Sequence, residues 1–383
     1  MVRWRAGTVT AVRGRWTGAV ELDVEVPGAG TLPALAYPTL VGEPLPGDRV
    51  LLNVGALALG LGTGGYALVV AVPDRLPPDP PGAAGDRSAG HLVKARYTPL
   101  QAIALGVDEP ASPHHALLRD ADDLAGQPVV TADLHSALPA ILAGLAADAP
   151  QARVAYVMTD GAALPAWFSR ALSALRGRLA GVVTVGQAFG GDLEAATVHT
   201  GLLAARLVLG ADVTVVAQGP GNLGTGTRWG FSGVAVGEAV NAVAALGGRP
   251  VGCLRISDAD PRPRHRGVSH HSLTAYGRVA LARADLPVPD GLPAELAAAV
   301  DAALAPLAGR HRIVRVDPAG LDEALRDAPA PLRSMGRGLA QERAHFLAAA
   351  AAGRHAATLL SGSPPVPADG AGPPARRAGP TSR

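Results

Sequence analysis

Short apolar runs alternate with alanine-rich stretches of helical length from about residue 128 onward. The apolar runs are rich in β-branched residues and uninterrupted by polar ones, which is typical of strands buried on both faces of a sheet. They occupy 128–132, 154–158, 181–185, 213–217 and 251–256. The stretches between them occupy 136–147, 165–175, 193–209 and 234–246. This alternation predicts an α/β fold with a Rossmann-like parallel sheet covered by helices.

A different pattern precedes this region. Five β-rich segments are separated by Gly, Pro and Asp and show no helical period, which predicts a small antiparallel barrel. A Pro/Gly-rich stretch follows, and the chain ends in Pro, Gly, Ala and Arg, a composition with no apolar face to bury. We therefore predict a barrel over 1–75, a linker over 76–90, an α/β domain with C-terminal helices over 91–360, and a disordered tail over 361–383.

Each of the five predicted strands of the sheet is followed at once by polar or Gly-rich residues. The connections from helix to strand, such as 148–152, carry no comparable cluster. In a parallel sheet the carboxyl ends of all strands lie at one edge, where open α/β folds bind their ligands. The asymmetry predicts a functional site at that edge.

The loop over 257–275 is the richest of these clusters. Imidazoles and carboxylates together are the ligands of catalytic zinc, iron or manganese. We expect a divalent metal here, although no HExxH signature fixes a ligand set, adjacent histidines seldom bind one ion, and an aspartate after a strand is often only a helix cap. The catalytic candidates are Asp133, His135, Asp160, Asp260 and His265, and the metal-ligand candidates are His265, His270 and His271.

A second candidate element is the glycine-rich segment after the fourth strand, which matches GxGxxG. Its backbone amides can hold an anion, but it lacks a Walker lysine and an acidic residue about 20 positions further on, so a structural turn is an equal alternative. Arginines in the 257–275 loop can clamp an anion in bidentate fashion or can pair with Asp260. The anion-binding candidates are Gly219, Gly221, Asn222, Gly224, Thr225, Thr227, Arg262 and Arg264.

Composition excludes several classes of partner. A net charge of +2 without a basic, aromatic-rich stripe argues against nucleic acid. No apolar run approaches the ~18 residues that span a bilayer. The single cysteine, Cys253, and the absence of a signal-like amino terminus predict a cytoplasmic protein. Lys94 is the only lysine, and we consider it a candidate pyridoxal-phosphate lysine.

Seven motifs along the chain are similar to those of a bacterial family described as domain of unknown function 3866. They are HLVKARYTPLQ, DLHSALP, YVMTDGAALP, VGQAFGGDLEA, GPGNLGTGT, GFSG and RISDADPRPRHRGVSHHS. The resemblance extends from the amino terminus to about His345. It implies no activity.

The function predicted from the residues is that of a metal-assisted enzyme, a hydrolase acting on a small anionic or phosphorylated molecule. In this interpretation the metal would lower the pKa of a bound water. The alternative is a non-catalytic protein that binds a nucleotide or another anion in a regulatory role. The sequence does not decide whether the protein is an enzyme, and it sets no oligomeric state.

Overall fold

A closed barrel of five strands forms the amino-terminal part of the chain. A computed structural model of the protein describes residues 2–62, 64–79 and 90–360. The barrel strands are β1 (Trp4–Trp16), β2 (Ala19–Val26), β3 (Gly30–Ala36), β4 (Arg49–Asn53) and β5 (Ala67–Ala71), with a short helix α1 (Pro38–Val41) after β3. Inward-facing Val and Leu side chains on alternate positions fill the interior.

The prediction of a small barrel is confirmed, but its neighbours are not all antiparallel. The closed order is β1-β2-β3-β5-β4, and β3 pairs with β5 in parallel while the other pairs are antiparallel. An odd number of strands cannot alternate in direction all the way around a closed ring, so one parallel pair is required.

An eight-stranded sheet, parallel throughout, forms the centre of the second part of the chain, so the predicted α/β class is confirmed. Its order is β11-β10-β9-β12-β8-β13-β16-β17. The strands are β8 (Pro128–Ala132), β9 (Val154–Thr159), β10 (Gly181–Thr184), β11 (Leu193–Glu194), β12 (Val213–Gln218), β13 (Arg249–Gly252), β16 (Asp285–Pro289) and β17 (Arg312–Val316).

Three details of the sheet differ from the prediction. The stretch 193–209, predicted to be helical, begins with the edge strand β11, and its helix begins only at Val198. β13 ends at Gly252, and the end of the predicted apolar run forms a separate strand, β14 (Ile256–Ser257), antiparallel to β15 (Gly267–Val268). β16 was not predicted, because its sequence DLPVP contains prolines, which lack the N–H that a central strand needs for pairing. On one side, β16 pairs with β13 through a single pair of residues.

Small residues dominate the helical layers. One face of the sheet packs against α3 and α10, and the other packs against α5 and α6. The helices are α2 (His115–Leu118), α3 (Leu138–Asp148), α4 (Arg170–Leu175), α5 (Val198–Leu207), α6 (Ala235–Ala245), α7 (His270–Thr274), α8 (Ala294–Leu304), α9 (Leu321–Arg326) and α10 (Arg343–Leu360). Three two-stranded ladders complete the described structure: β14 with β15, β6 (Leu92–Lys94) with β7 (Ala102–Ala104), and β18 (Arg333–Ser334) with β19 (Arg337–Gly338).

The barrel docks on the segment that follows β9. Trp16 Nε1 donates a hydrogen bond to the carbonyl of Trp167 at 2.7 Å. Arg170 donates to Glu21 at 2.9 Å and to the hydroxyl of Tyr66 at 2.7 Å. These contacts hold the barrel beside the β10 side of the sheet.

Residues 80–89 of the predicted linker and the whole predicted tail, 361–383, lie outside the described residues. Of the helices in the described ranges, none combines the length and the apolar character needed to cross a membrane.

Helices α3 and α10 approach each other through glycines. A Cβ on Gly353 would lie 2.0 Å from the carbonyl oxygen of Ile141 and 2.8 Å from Leu145 N, so backbone would have to move. We expect Gly353→Ala to lower the free energy of unfolding by roughly 1–3 kcal/mol through overpacking. Gly177→Ala is the matched control, because a Cβ there meets nothing within 4 Å. Urea unfolding measures both, and equal stability of the two variants would contradict the tight helix contact.

A half-buried aspartate ties the sheet to α10. Asp285 on β16 accepts hydrogen bonds from Arg312 on β17 and from His355 Nε2 at 2.8 Å. Burial acts to raise the pKa of Asp285, but hydrogen bonds from His355 and Arg312 outweigh it and lower the pKa to about 2.

Because this folded-state pKa lies below the unfolded value of about 3.9, Asp285 stabilises the fold above about pH 4. That stabilisation is lost as the pH falls from about 4 toward 2. The free energy of unfolding of the wild type should therefore fall by about 2 kcal/mol more than that of Asp285→Asn between pH 5 and pH 2. Urea titrations at several pH values measure the difference. Parallel pH profiles for the two proteins would show that the carboxylate is not a stabilising group.

Candidate functional site

Three histidines from the 257–275 loop converge at the carboxyl edge of the sheet. The β14–β15 hairpin and a short 3-10 turn place His265, and the start of α7 places His270 and His271. Their ring centroids lie 4.4–5.0 Å apart. One ligand nitrogen from each of the three rings lies within 4.8 Å of the other two. Ser269 accepts a hydrogen bond from His271 N at 3.2 Å and thereby caps α7, which fixes the direction of both of its histidines.

The environment keeps the imidazoles of His265 and His270 neutral. Burial, followed by the nearby guanidinium groups of Arg255 and Arg262, lowers the pKa of His265 to about 3. Burial and the neighbouring His271 lower the pKa of His270 to about 4. Neutral imidazole is the form that binds a metal, so protons do not compete for these nitrogens at physiological pH.

The hydrogen bonds of the cluster determine which nitrogens remain free. His265 Nδ1 lies 2.8 Å from Ser269 Oγ, so its Nε2 is left for a ligand. His271 Nδ1 lies 3.5 Å from Asp133 Oδ2, and within the described residues neither atom has a hydrogen-bond partner. The same holds for the buried Nε2 of His270. A buried nitrogen without a hydrogen-bond partner, such as His270 Nε2 within the described residues, is what a metal ligand requires.

The donor set fits a divalent ion. Nitrogen ligands around tetrahedral zinc lie about 2.0–2.1 Å from the metal and therefore roughly 3.3 Å from one another. The nitrogens here, which lie within 4.8 Å of one another, would have to move closer by up to about 1.5 Å. Asp133 stands behind His271 as the carboxylate that commonly orients a ligating imidazole. Burial acts to raise the pKa of Asp133, but contact with His271 and the charge of Arg255 lower it.

Asp260 lies at the centre of a buried ion-pair network. Its carboxylate pairs with Arg262 at 2.8 Å and with Arg255 and Arg337 at 3.3 Å each. Hydrogen bonds from Arg262, which outweigh the effect of burial, hold the pKa of Asp260 well below its usual range. Glu342 adds a second carboxylate by pairing with Arg337. For Arg262 the ion-pair alternative is therefore the one observed, and Asp260 is not placed to act as a general base.

The glycine-rich segment forms an exposed hairpin and does not lead directly into a helix. Gly224 bridges to Phe231, and Thr225 N donates to the carbonyl of Gly230 at 2.7 Å. The next helical turn begins only at Ser232. Asn222 and Thr227 side chains accept hydrogen bonds from Ser232 Oγ and Gly230 N, within the hairpin itself. The segment is therefore not the start of a dinucleotide-binding helix.

The hairpin nevertheless lies beside the histidines. Phe231 at its base stacks on the His271 ring, with centroids 3.8 Å apart and planes inclined by 2°. A Cβ on Gly226 at its tip would lie 3.9 Å from Arg264 Nη2. Arg264 is exposed, and no ion pair to it occurs within the described ranges. The anion-binding candidates on the hairpin and Arg264 are thus brought together with the histidine cluster.

Two predicted catalytic residues lie apart from this cluster. His135 is buried, and its ring nitrogens contact Tyr156 OH at 3.0 Å and Ser169 Oγ at 2.7 Å. Asp160 is exposed and accepts a hydrogen bond from Gln187 N at 2.8 Å. Both follow strands of the sheet, as predicted, but neither faces the three histidines. The sequence places them at the correct edge without showing where along it they point.

A fourth histidine lies near the cluster but belongs to a part of the chain that is distant in sequence. His345 on α10 is buried, and neither of its ring nitrogens has a hydrogen-bond partner within the described residues. Burial, followed by Arg255, lowers its pKa to about 4. The sequence signal was a polar residue among the buried alanines of α10, at a position 74 residues from His271.

Lys94 occupies a closed cage. Its Nζ donates to the carbonyls of Ala188 at 2.9 Å and Ala195 at 3.0 Å and lies 3.4 Å from Glu194 Oε2. The side chain is fully buried. All three donors of the ammonium therefore face acceptors, and the arrangement explains a lysine in a chain that otherwise uses arginine. It gives a pyridoxal aldehyde no open approach.

We expect Lys94→Arg to lower the free energy of unfolding by roughly 1–3 kcal/mol, because a guanidinium is too large for the cage. Arg96→Lys, on an exposed side chain two residues away, is the control and should stay within about 0.5 kcal/mol of the wild type. Chemical denaturation measures both changes. A Lys94→Arg protein as stable as the wild type would show that the cage does not select for the compact amine.

The fold is that of an α/β protein with an amino-terminal barrel, and histidines line one edge of its sheet. A family model described as Protein of unknown function (DUF3866) matches residues 33–353, and the chain belongs to this family, as the sequence motifs indicated. The match begins inside β3, so the first two barrel strands precede it. No curated protein and no solved structure matches the chain.

Proposed function

We propose that the protein is a metal-dependent enzyme, a hydrolase acting on a small anionic or phosphorylated molecule. His265, His270 and His271 would hold the ion. The observation that carries the proposal is the convergence of these imidazoles, with one nitrogen of each within 4.8 Å of the others. Three protein ligands leave a position open for substrate or water, as in catalytic zinc sites. A divalent ion held in this way supplies Lewis acidity and makes water more acidic.

The surrounding residues support an anionic substrate. Arg264, whose guanidinium makes no ion pair within the described residues, lies beside the tip of the hairpin and within reach of a group bound near His270. His270 is the only partly exposed member of the three, so a substrate would approach from its side. Arg255 and Arg262 are paired with Asp260 and would act on the substrate only through the electrostatic potential of the site. Arg264 would bind the anion directly, in the bidentate geometry that a guanidinium offers to phosphate.

The chain's own groups have distinct roles in this proposal. Asp133, whose Oδ2 lies 3.5 Å from His271 Nδ1, would orient that ring so that its opposite nitrogen faces the ion. Ser269 does the same for His265. Phe231 covers one face of His271, which excludes water from that side of the cluster.

Metal content tests the proposal. We expect purified protein dialysed against zinc or manganese to retain one ion per chain, and His270→Ala to lose at least nine-tenths of it. His199→Ala, at an exposed histidine outside the cluster, should retain the ion. Elemental analysis gives the content, and circular dichroism verifies that each variant is folded. A wild type without metal, or a His270→Ala protein with full content, would contradict the metal site.

The second candidate function, a non-catalytic nucleotide- or anion-binding protein, is favoured by the unpaired Arg264 alone. Arg264→Ala separates the two candidates. For an enzyme it should raise KM for a phosphate monoester such as p-nitrophenyl phosphate about tenfold and leave the metal content unchanged. Arg178→Ala, an exposed arginine elsewhere, serves as the control. Binding of inorganic phosphate that depends on Arg264, without metal and without turnover, would favour the binding protein.

A further inference from the structure

A second group of reactive side chains lies outside the histidine cluster. Ser169 Oγ lies 2.7 Å from His135 Nε2, and His135 Nδ1 lies 3.0 Å from Tyr156 OH. A hydroxyl, an imidazole and an orienting group in this order form the arrangement of nucleophile, base and orienter found in enzymes that use an activated serine. His135 was predicted to be catalytic, but Ser169 carried no sequence signal because no nucleophile motif surrounds it.

The hydrogen bonds of Tyr156 fix the protonation of His135. Tyr156 OH donates its only proton to backbone carbonyls, those of Gln218 at 2.9 Å and Ala217 at 3.1 Å. Towards His135 it is therefore an acceptor, and His135 Nδ1 carries the proton. This leaves His135 Nε2 as an acceptor, so Ser169 donates its hydroxyl proton to it. The tautomer is the one that a base facing a serine nucleophile needs.

The serine also lines a cavity. A cavity of about 250 Å³ lies where the barrel meets the segment after β9, and Ser169 contributes to its wall. Apolar lining comes from Trp167, Leu172 and Val182, and polar lining includes the hydroxyls of Thr17 on the barrel and Ser173 on α4. The volume is at or below the lower end of the range for small-molecule sites, about 300–1,000 Å³. The cavity therefore suits a small molecule with a short apolar part.

We propose that Ser169 is the nucleophile of a separate acyl-transfer site, with His135 as its base and a small carboxylic ester with a short acyl chain as its substrate. Tyr156 is a positioning residue that holds the His135 ring. The site needs no metal and does not rest on the proposed metal-dependent function.

The step balances with water as the only co-reactant. Ser169 Oγ forms a bond to the carbonyl carbon as its proton passes to His135 Nε2. The bond from that carbon to the alkoxy oxygen breaks, and the proton on His135 passes to the leaving alcohol. Water then attacks the acyl-serine by the same route, and Ser169 and the carboxylic acid are released.

Covalent labelling of the full chain tests the proposal directly. The probe is diisopropyl fluorophosphate, which phosphorylates activated serines, and intact mass followed by peptide mapping locates the adduct. We expect one adduct per chain, on Ser169, in the presence or absence of a chelator. Ser136→Ala, which changes a serine that hydrogen-bonds Ser334 and does not line the cavity, should be labelled as the wild type is. An unlabelled wild type, or an adduct on another serine, would overturn the proposal.

Variants of the partners separate catalysis from structure. His135→Gln should slow labelling at least 100-fold while circular dichroism remains that of the wild type. With p-nitrophenyl acetate, Tyr156→Phe should lower kcat and leave KM unchanged, which a merely structural role would not produce. Labelling of folded His135→Gln at the wild-type rate would overturn the role of the base. If that variant fails to fold, adduct formation on Ser169 of the wild type still decides the proposal.

Discussion

The parallel direction of all eight strands in the sheet is the constraint on which the candidate sites depend. Because every strand runs the same way, each polar loop that follows a strand reaches the same edge. The order of the strands then divides that edge. The loops after β8 and β13 are neighbours and supply Asp133 and the three histidines. The loops after β9 and β10 lie further along and supply Asp160 and the cage around Lys94.

This division explains how much of the site the sequence could predict. Continuous β-branched runs identify the five central strands, and the polar residues after them identify the edge. The lateral order of strands is not written in local sequence, so Asp160 and His265 could be assigned to one edge but not to separate groups along it. A side chain at a strand end can also turn back into the core, as His135 does toward Tyr156.

Other residues near the site, and one strand of the sheet, lie in segments whose local sequence pattern carries little information about structure. Arg337 and Glu342 precede α10. Arg337, which also pairs with Glu342, reaches Asp260 because α10 packs beside β14. β16 was not predicted because prolines are unfavourable inside a strand. It nevertheless pairs with its neighbouring strands in the sheet. Aromatic residues make up only 3% of the chain, and the core is rich in Ala, Val and Leu, with α3 and α10 in close contact through glycines.

The burial of Lys94 has a consequence for the chemistry of the whole surface. Since it is the only lysine and is fully buried, the folded chain offers amine-directed reagents no lysine side chain to modify. Acylating cross-linkers and lysine-modifying enzymes would meet a folded chain whose permanently charged side-chain cations, apart from the buried Lys94, are all guanidinium groups. Reaction at Lys94 would then require the cage of Ala188, Ala195 and Glu194 to open. The rate at which Lys94 is modified would therefore report how often the β10–β11 side of the sheet unfolds locally.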